Sequence, residues 1–203
     1  MSWVTLAFFL FFLSYQGNNE IIILFVKHQF GWGPALIGYY EAADAATQGI
    51  GMMLVPWLIT RCLGSYVDLR WLFVGYVFRT LHFFLFAMAP NTETLFGLVP
   101  LLLLAANLVP RSRTIVSNSV PREQQAAIMS GFSAVQSVAS FSVPLVALGY
   151  SYSVYTDPAF MYYVFSALCG LGALLTLVAL RRCPEKDGML CAPLLTDDRQ
   201  EKE

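Results

Sequence analysis

The chain has 203 residues, a formal net charge of -1, 57% hydrophobic residues and only 12% charged ones, against about 25% charged in an ordinary soluble domain. That balance excludes a water-facing surface over most of the chain, and without a basic patch to neutralise phosphates it excludes a nucleic-acid partner. The four cysteines, Cys62, Cys169, Cys183 and Cys191, have no metal-ligand spacing and are expected as free thiols. No Gly-x-Ser-x-Gly, His-Glu-x-x-His or Gly-x-x-x-x-Gly-Lys pattern occurs, so the chain is not expected to be an enzyme or to carry a metal or cofactor.

Six apolar windows near the required ~20 residues fall at about 2–27, 35–60, 70–89, 94–110, 125–149 and 159–180, with Pro34, Pro90, Pro121 and Pro158 at their boundaries. They predict an all-α six-helix transmembrane bundle over residues 1–182. The first window lacks the basic n-region of a signal peptide. Its run Leu6–Leu13 leads through Gln16-Gly17-Asn18-Asn19-Glu20 into Ile21–Val26, which predicts one long helix with a polar waist, broken around Gly17. Such a break exposes backbone groups that a solute can use. Asn18 and Asn19 either line that path or hydrogen-bond a neighbouring helix. Glu20, a lone carboxylate in low dielectric, is expected to exchange a proton.

In the second span Glu41, Asp44 and Gln48 recur at i, i+3 and i+7 and share one face. Two carboxylates that close suit a proton or cation site; the alternatives are hydration in an aqueous vestibule or pairing with Arg79 or Lys27. Arg79 and His82 lie inside the third span, where Arg79 is too deep to snorkel easily and is expected to make a structural pair with a carboxylate such as Glu41 or Asp44, the alternative being a substrate contact. The fourth span is read as ending at Pro110, which puts Arg111 and Arg113 just past its end and Asn107 one turn before Arg111. A guanidinium at Arg113 can clamp a solute carboxylate bidentately, whereas membrane anchoring accounts for Arg111 and Arg122. The fifth span carries Ser130, Gly131, Ser133, Ala134, Ser137 and Ser140, a small-residue face expected to pack against another helix. The tail 183–203 is charged and without apolar period, so it is expected to be disordered and cytoplasmic.

Lysine and arginine gather in alternate loops: Arg61 and Arg70; Arg111, Arg113 and Arg122; Arg181, Arg182 and Lys186, against Lys27 alone on the other side. That asymmetry predicts both termini in the cytoplasm.

Three segments carry a resemblance. Trp32-Gly-Pro-Ala-Leu36-Ile37-Gly38-Tyr39-Tyr-Glu-Ala42-Ala43 resembles the start of the eighth helix of the proton-coupled folate transporter family, solute carrier family 46, within the major facilitator superfamily. Pro110-Arg-Ser-Arg113-Thr-Ile-Val-Ser117-Asn-Ser-Val120-Pro-Arg-Glu-Gln-Gln125 is similar to that family's segment between the tenth and eleventh helices, and Gly17-Asn-Asn-Glu20 to its polar seventh helix. The likeness spans about residues 15–150. Ala126 departs from the usual Gly, and Gly64-Ser-Tyr-Val-Asp68-Leu-Arg70 is a weak echo of the superfamily's Gly-x-x-x-Asp-Arg loop.

The resemblance implies that the six spans are helices seven to twelve, one half of a major facilitator fold, and that the chain is the C-terminal half of a proton-coupled symporter for an organic anion such as a folate-like molecule. The family's residue matching Arg113 is implicated in proton coupling and substrate handling. The resulting expectation is that Asn18, Asn19, Gln48, Asn107 and Arg113 bind solute and that Glu20, Glu41 and Asp44 couple protons. Because alternating access rocks one half against the other, an N-terminal six-helix half, or a full-length relative, is an expected partner, with the plasma membrane or an endolysosomal membrane as host. The alternative is a non-transporting membrane subunit that assembles with a full-length transporter and modulates it.

Overall fold

A backbone in hydrocarbon must satisfy its own N–H and C=O groups, and this chain does so with helices. A computed structural model describes residues 2–63, 69–118, 124–141, 143–155 and 157–182; the tail 183–203 and most of the 64–70 turn lie outside them. In chain order the helices are α1 (Ser2–Phe30), α2 (Pro34–Leu63), α3 (Leu69–Met88), α4 (Thr92–Leu98), a 3-10 turn (Val99–Leu101), α5 (Leu102–Ala105), α6 (Leu108–Asn118), α7 (Gln125–Phe141), α8 (Val143–Ser153) and α9 (Phe160–Arg182). Among the described residues, five paths are long and apolar enough to cross a membrane: Trp3–Phe30, Leu69–Met88, Thr92–Ser117, Gln125–Ser153 and Phe160–Arg181. The 30-residue α2 has the length of a sixth, but Glu41, Asp44, Gln48 and its glycines dilute its apolar content.

Helix α1 runs unbroken through Gly17, contrary to the expected break. The physical reason is packing: a Cβ on Gly17 would stand 2.8 Å from Cζ of Phe165 and 3.1 Å from Cγ1 of Val146, so the glycine lets α9 and α8 close onto α1. Where α1 does end, Gly31 takes φ 65° and its N–H donates to Lys27 at 3.1 Å, a left-handed cap. The irregular backbone lies in span four instead. Pro100, lacking an N–H, tightens the path into the 3-10 turn. A second turn follows at Ala106 and Asn107, yet Arg111 N–H still reaches the Asn107 carbonyl at 3.0 Å, and α6 continues to Asn118. Pro110 sits in the first turn of α6, where its missing N–H costs little. Arg111 and Arg113 are therefore on a helix within span four, not beyond its end.

Helix α9 lies against both α1 and α3, the two most extensive contacts in the bundle. Their seam is aromatic: Tyr162, fully buried, has ring centroids 4.5 Å from Phe86 and 4.7 Å from Phe25. Lipid tails are as apolar as these rings, so dispersion and ring geometry, about 0.5–1.5 kcal/mol per aromatic pair, hold the seam. Helix α2 packs chiefly on α5 of span four, and Asn107 Nδ2 donates to the Gly51 carbonyl across that contact at 2.8 Å.

Candidate functional site

Two polar regions are built into this frame. The first is an open groove of about 540 Å³ along α7 and the start of α8, lined by Ser133, Gln136, Ser137, Ser140, Phe141 and Pro144. The small-residue face of the fifth span, expected to pack, is exposed at Ser130, Gly131, Ser133, Ser137 and Ser140, and a Cβ on Gly131 would meet nothing within 4 Å. Only 12% of that span's apolar stretch is covered, so among the described residues no helix fills the face.

The serine hydroxyls donate to their own helix, Ser133 to Met129 at 3.2 Å, Ser137 to Ser133 at 3.0 Å and Ser140 to Gln136 at 3.1 Å. Their protons are thus internally satisfied and their oxygens remain as acceptors toward the groove. Arg113 Nη2 of α6 donates to Gln136 Oε1 at 2.6 Å, which fixes the amide with its NH2 group available as a donor. Gln16 Nε2 of α1 reaches Ser140 Oγ at 3.4 Å, and Glu20, one turn further along α1, falls on the same helical face. The groove thus combines a guanidinium, an amide donor and hydroxyl acceptors beside the Phe141 ring, a set suited to a polar or carboxylated solute.

The second region lies between α2 and α3. Gln48 Nε2 donates to Asp44 Oδ2 at 2.7 Å, joining two of the three residues placed on one face, while Glu41 is exposed. Arg79 is 4% exposed. Its guanidinium carbon lies 4.6 Å from the Phe83 ring centroid and 5.6 Å from that of Tyr15. The expected structural ion pair with Glu41 or Asp44 is not closed among the described residues, where Arg79 Nε has no hydrogen-bond partner. His82, also 4% exposed, sits beside it with Nδ1 unpartnered.

The structure brings Arg113 to the groove and Asp44 to Gln48, and holds Asn18 half-buried with Asn19 and Glu20 exposed on α1. Asn107 is 2% exposed and engaged with Gly51, so it clamps two spans rather than standing beside Arg113. Arg111, read as a membrane anchor, is 3% exposed and belongs to the interior. Gln136 was not anticipated. Its signal was available, since Ser133 and Ser140 flank it at i-3 and i+4 on one face.

A family model described as Major Facilitator Superfamily matches residues 4–189, nearly the whole chain. No curated protein matches the chain closely enough to be named beside it. The helical paths fit one half of that superfamily's fold, and the chain accordingly belongs to the Major Facilitator Superfamily: it is a multi-pass membrane protein that handles a small-molecule solute as a transporter, not an enzyme.

Proposed function

We propose that the chain is the C-terminal half of a proton-coupled organic-anion symporter of the kind found in solute carrier family 46, incomplete as a transporter by itself. The observation that carries this reading is the Arg113–Gln136 contact at the wall of the serine-lined groove, because a guanidinium held by a neutral amide can exchange that acceptor for a carboxylate. Protons enter through Glu20, Glu41 and Asp44, with Asn18, Asn19 and Gln48 facing the solute path. The loop charges orient both termini to the cytoplasm of a plasma or endolysosomal membrane.

Incompleteness is supported by the uncovered α7–α8 span and by exposed Met53, Trp57, Phe141 and Leu145. A non-transporting subunit seated on a full-length relative would use the same faces. Folate uptake at mildly acidic and neutral pH, by cells expressing the chain alone or together with a family N-terminal half, tests the reading. Acid-stimulated uptake in the paired cells that falls in Arg113→Lys at matched surface expression is the expected result. Binding to a full-length relative without any uptake by the paired halves would favour the subunit.

A further inference from the structure

Span four is not one helix, and its chemistry says where it yields. Pro100 lies in the 3-10 turn, and Pro110 has no N–H to give the carbonyl of Ala106, four residues back, where the turn at Ala106 and Asn107 interrupts the path. Hydroxyls load the same stretch. Ser112 Oγ donates to the Leu108 carbonyl at 2.7 Å and Thr114 Oγ1 to the Pro110 carbonyl at 2.9 Å, back-bonds that favour a bend in the turn that accepts them. A 3-10 stretch in the middle of a helical path often marks a hinge.

The joint is seated between two glycines. A Cβ on Gly51 of α2 would stand 2.6 Å from the Leu103 carbonyl oxygen and 3.0 Å from Ala106 Cβ, and one on Gly75 of α3 would stand 2.9 Å from Leu108 Cδ2 and 3.5 Å from the Leu104 carbonyl oxygen. The two sides of the joint hold different partners. Helix α2 lies on α5 and the 3-10 turn, whereas α6 lies on α7, α1 and α3 and is tied to α7 by the Arg113–Gln136 bond at 2.6 Å. Asn107 belongs to both sides. Its carbonyl accepts Arg111 N–H at 3.0 Å at the start of α6, while its side chain donates to Gly51 of α2 at 2.8 Å.

We propose that the turn at Ala106 and Asn107 is a hinge on which α6 and α7 move as one body against α2 and the middle of span four, with the Asn107–Gly51 bond as the strap that sets its resting angle. Helix α6 reaches roughly 16 Å past the joint, so a small turn there carries its inner end through several ångströms. On α3 the contact that must slide is the Leu108 side chain in the notch at Gly75. The Asp44–Gln48 contact rides with α2 and the Arg113–Gln136 contact with α6 and α7, so the hinge sets the spacing between the two polar regions. It needs no solute to operate and goes beyond the anion-transport reading above.

The test is a distance distribution between spin labels, by double electron–electron resonance on the purified full chain in detergent. Cys62, Cys183 and Cys191 are replaced by serine and the buried Cys169 is kept. Labels are placed at Met53→Cys on α2 and Val138→Cys on α7, positions 78% and 57% exposed. Asn107→Ala removes the strap and should widen the distribution and shift its mean. Pro110→Ala returns an N–H to the Ala106 carbonyl and should narrow it. General loosening of the fold cannot move the width in both directions. A second pair, Leu24→Cys on α1 and Val77→Cys on α3, reports on two helices that both pack on α9 and should be unchanged by either variant.

A Pro110→Ala distribution as broad as wild type, or a change in the α1–α3 pair equal to that in the α2–α7 pair, overturns the proposal. Should Asn107→Ala not fold, Pro110→Ala decides alone. Unaltered distributions alongside acid-stimulated uptake by paired halves would remove the hinge and leave the transport reading standing; opposite changes in width without any uptake would do the reverse.

Discussion

Asn107 and Gly51 hold spans two and four together through one bond, Nδ2 to the glycine carbonyl at 2.8 Å, at a crossing so close that a Cβ on Gly51 would fall 2.6 Å from the Leu103 carbonyl oxygen. The obstacle is backbone, so it cannot swing aside as a side chain would. Gly51→Ala should therefore lower the thermal midpoint of the purified protein by several degrees, in line with an overpacking cost of about 1–3 kcal/mol. Gly49→Ala, with nothing within 4 Å of its added carbon, should be neutral or slightly stabilising because alanine favours helix. Equal midpoints for the two variants would remove this crossing from the account.

Gly17 predicts a milder and repairable defect. The atoms its Cβ would meet first belong to the ring end of Phe165, at 2.8 Å, so Gly17→Ala should destabilise and Phe165→Leu should recover part of the loss in the double variant. A thermal double-mutant cycle reads the coupling, expected at about 0.5–3 kcal/mol for residues in contact. Strict additivity would mean that α1 and α9 do not meet there.

At the groove, Gln136→Glu would give Arg113 an internal carboxylate in place of the 2.6 Å amide contact. A carboxylate opposes the guanidinium with a full charge and can take it bidentately, where the amide offers one oxygen, so the variant should fold and reach the surface while folate uptake by paired halves drops about tenfold or more. Unchanged uptake would show that Arg113 does not meet the solute.

Arg111 and Arg113 should separate in a different way from one expected of a simple membrane anchor. Arg111 is 3% exposed, so Arg111→Lys exchanges a buried planar group for a strongly hydrated ammonium. Its thermal midpoint should fall below that of Arg113→Lys, whose side chain is only half-buried. The comparison is a thermal melt of both variants in one detergent, and the reverse order would return Arg111 to the membrane surface.

Orientation is testable at two exposed sites. Tyr155 is 90% exposed in the loop before α9, and Arg181 is exposed near that helix's end. With Cys62, Cys183 and Cys191 replaced by serine and the buried Cys169 kept, a membrane-impermeant thiol reagent on intact cells should label Tyr155→Cys and spare Arg181→Cys. The opposite pattern would invert the topology.

The helical membrane class was legible in the sequence because lipid demands long apolar helices whatever their neighbours, and composition alone reports that demand. The Asp44–Gln48 contact was legible too, since i, i+4 spacing brings two side chains together before any packing occurs. Interhelical relations were not. The polar waist at Gly17 looks the same in sequence whether the glycine breaks a helix or admits Phe165, and the serine face of α7 looks the same whether a helix covers it or a groove opens along it. Arg111 and Arg113, two residues apart, point in different directions from one helix, and which of them is interior depends on where span four ends. Tertiary structure decided these points because each turns on which surface comes within a few ångströms of another, a distance that a one-dimensional pattern of residue types does not encode.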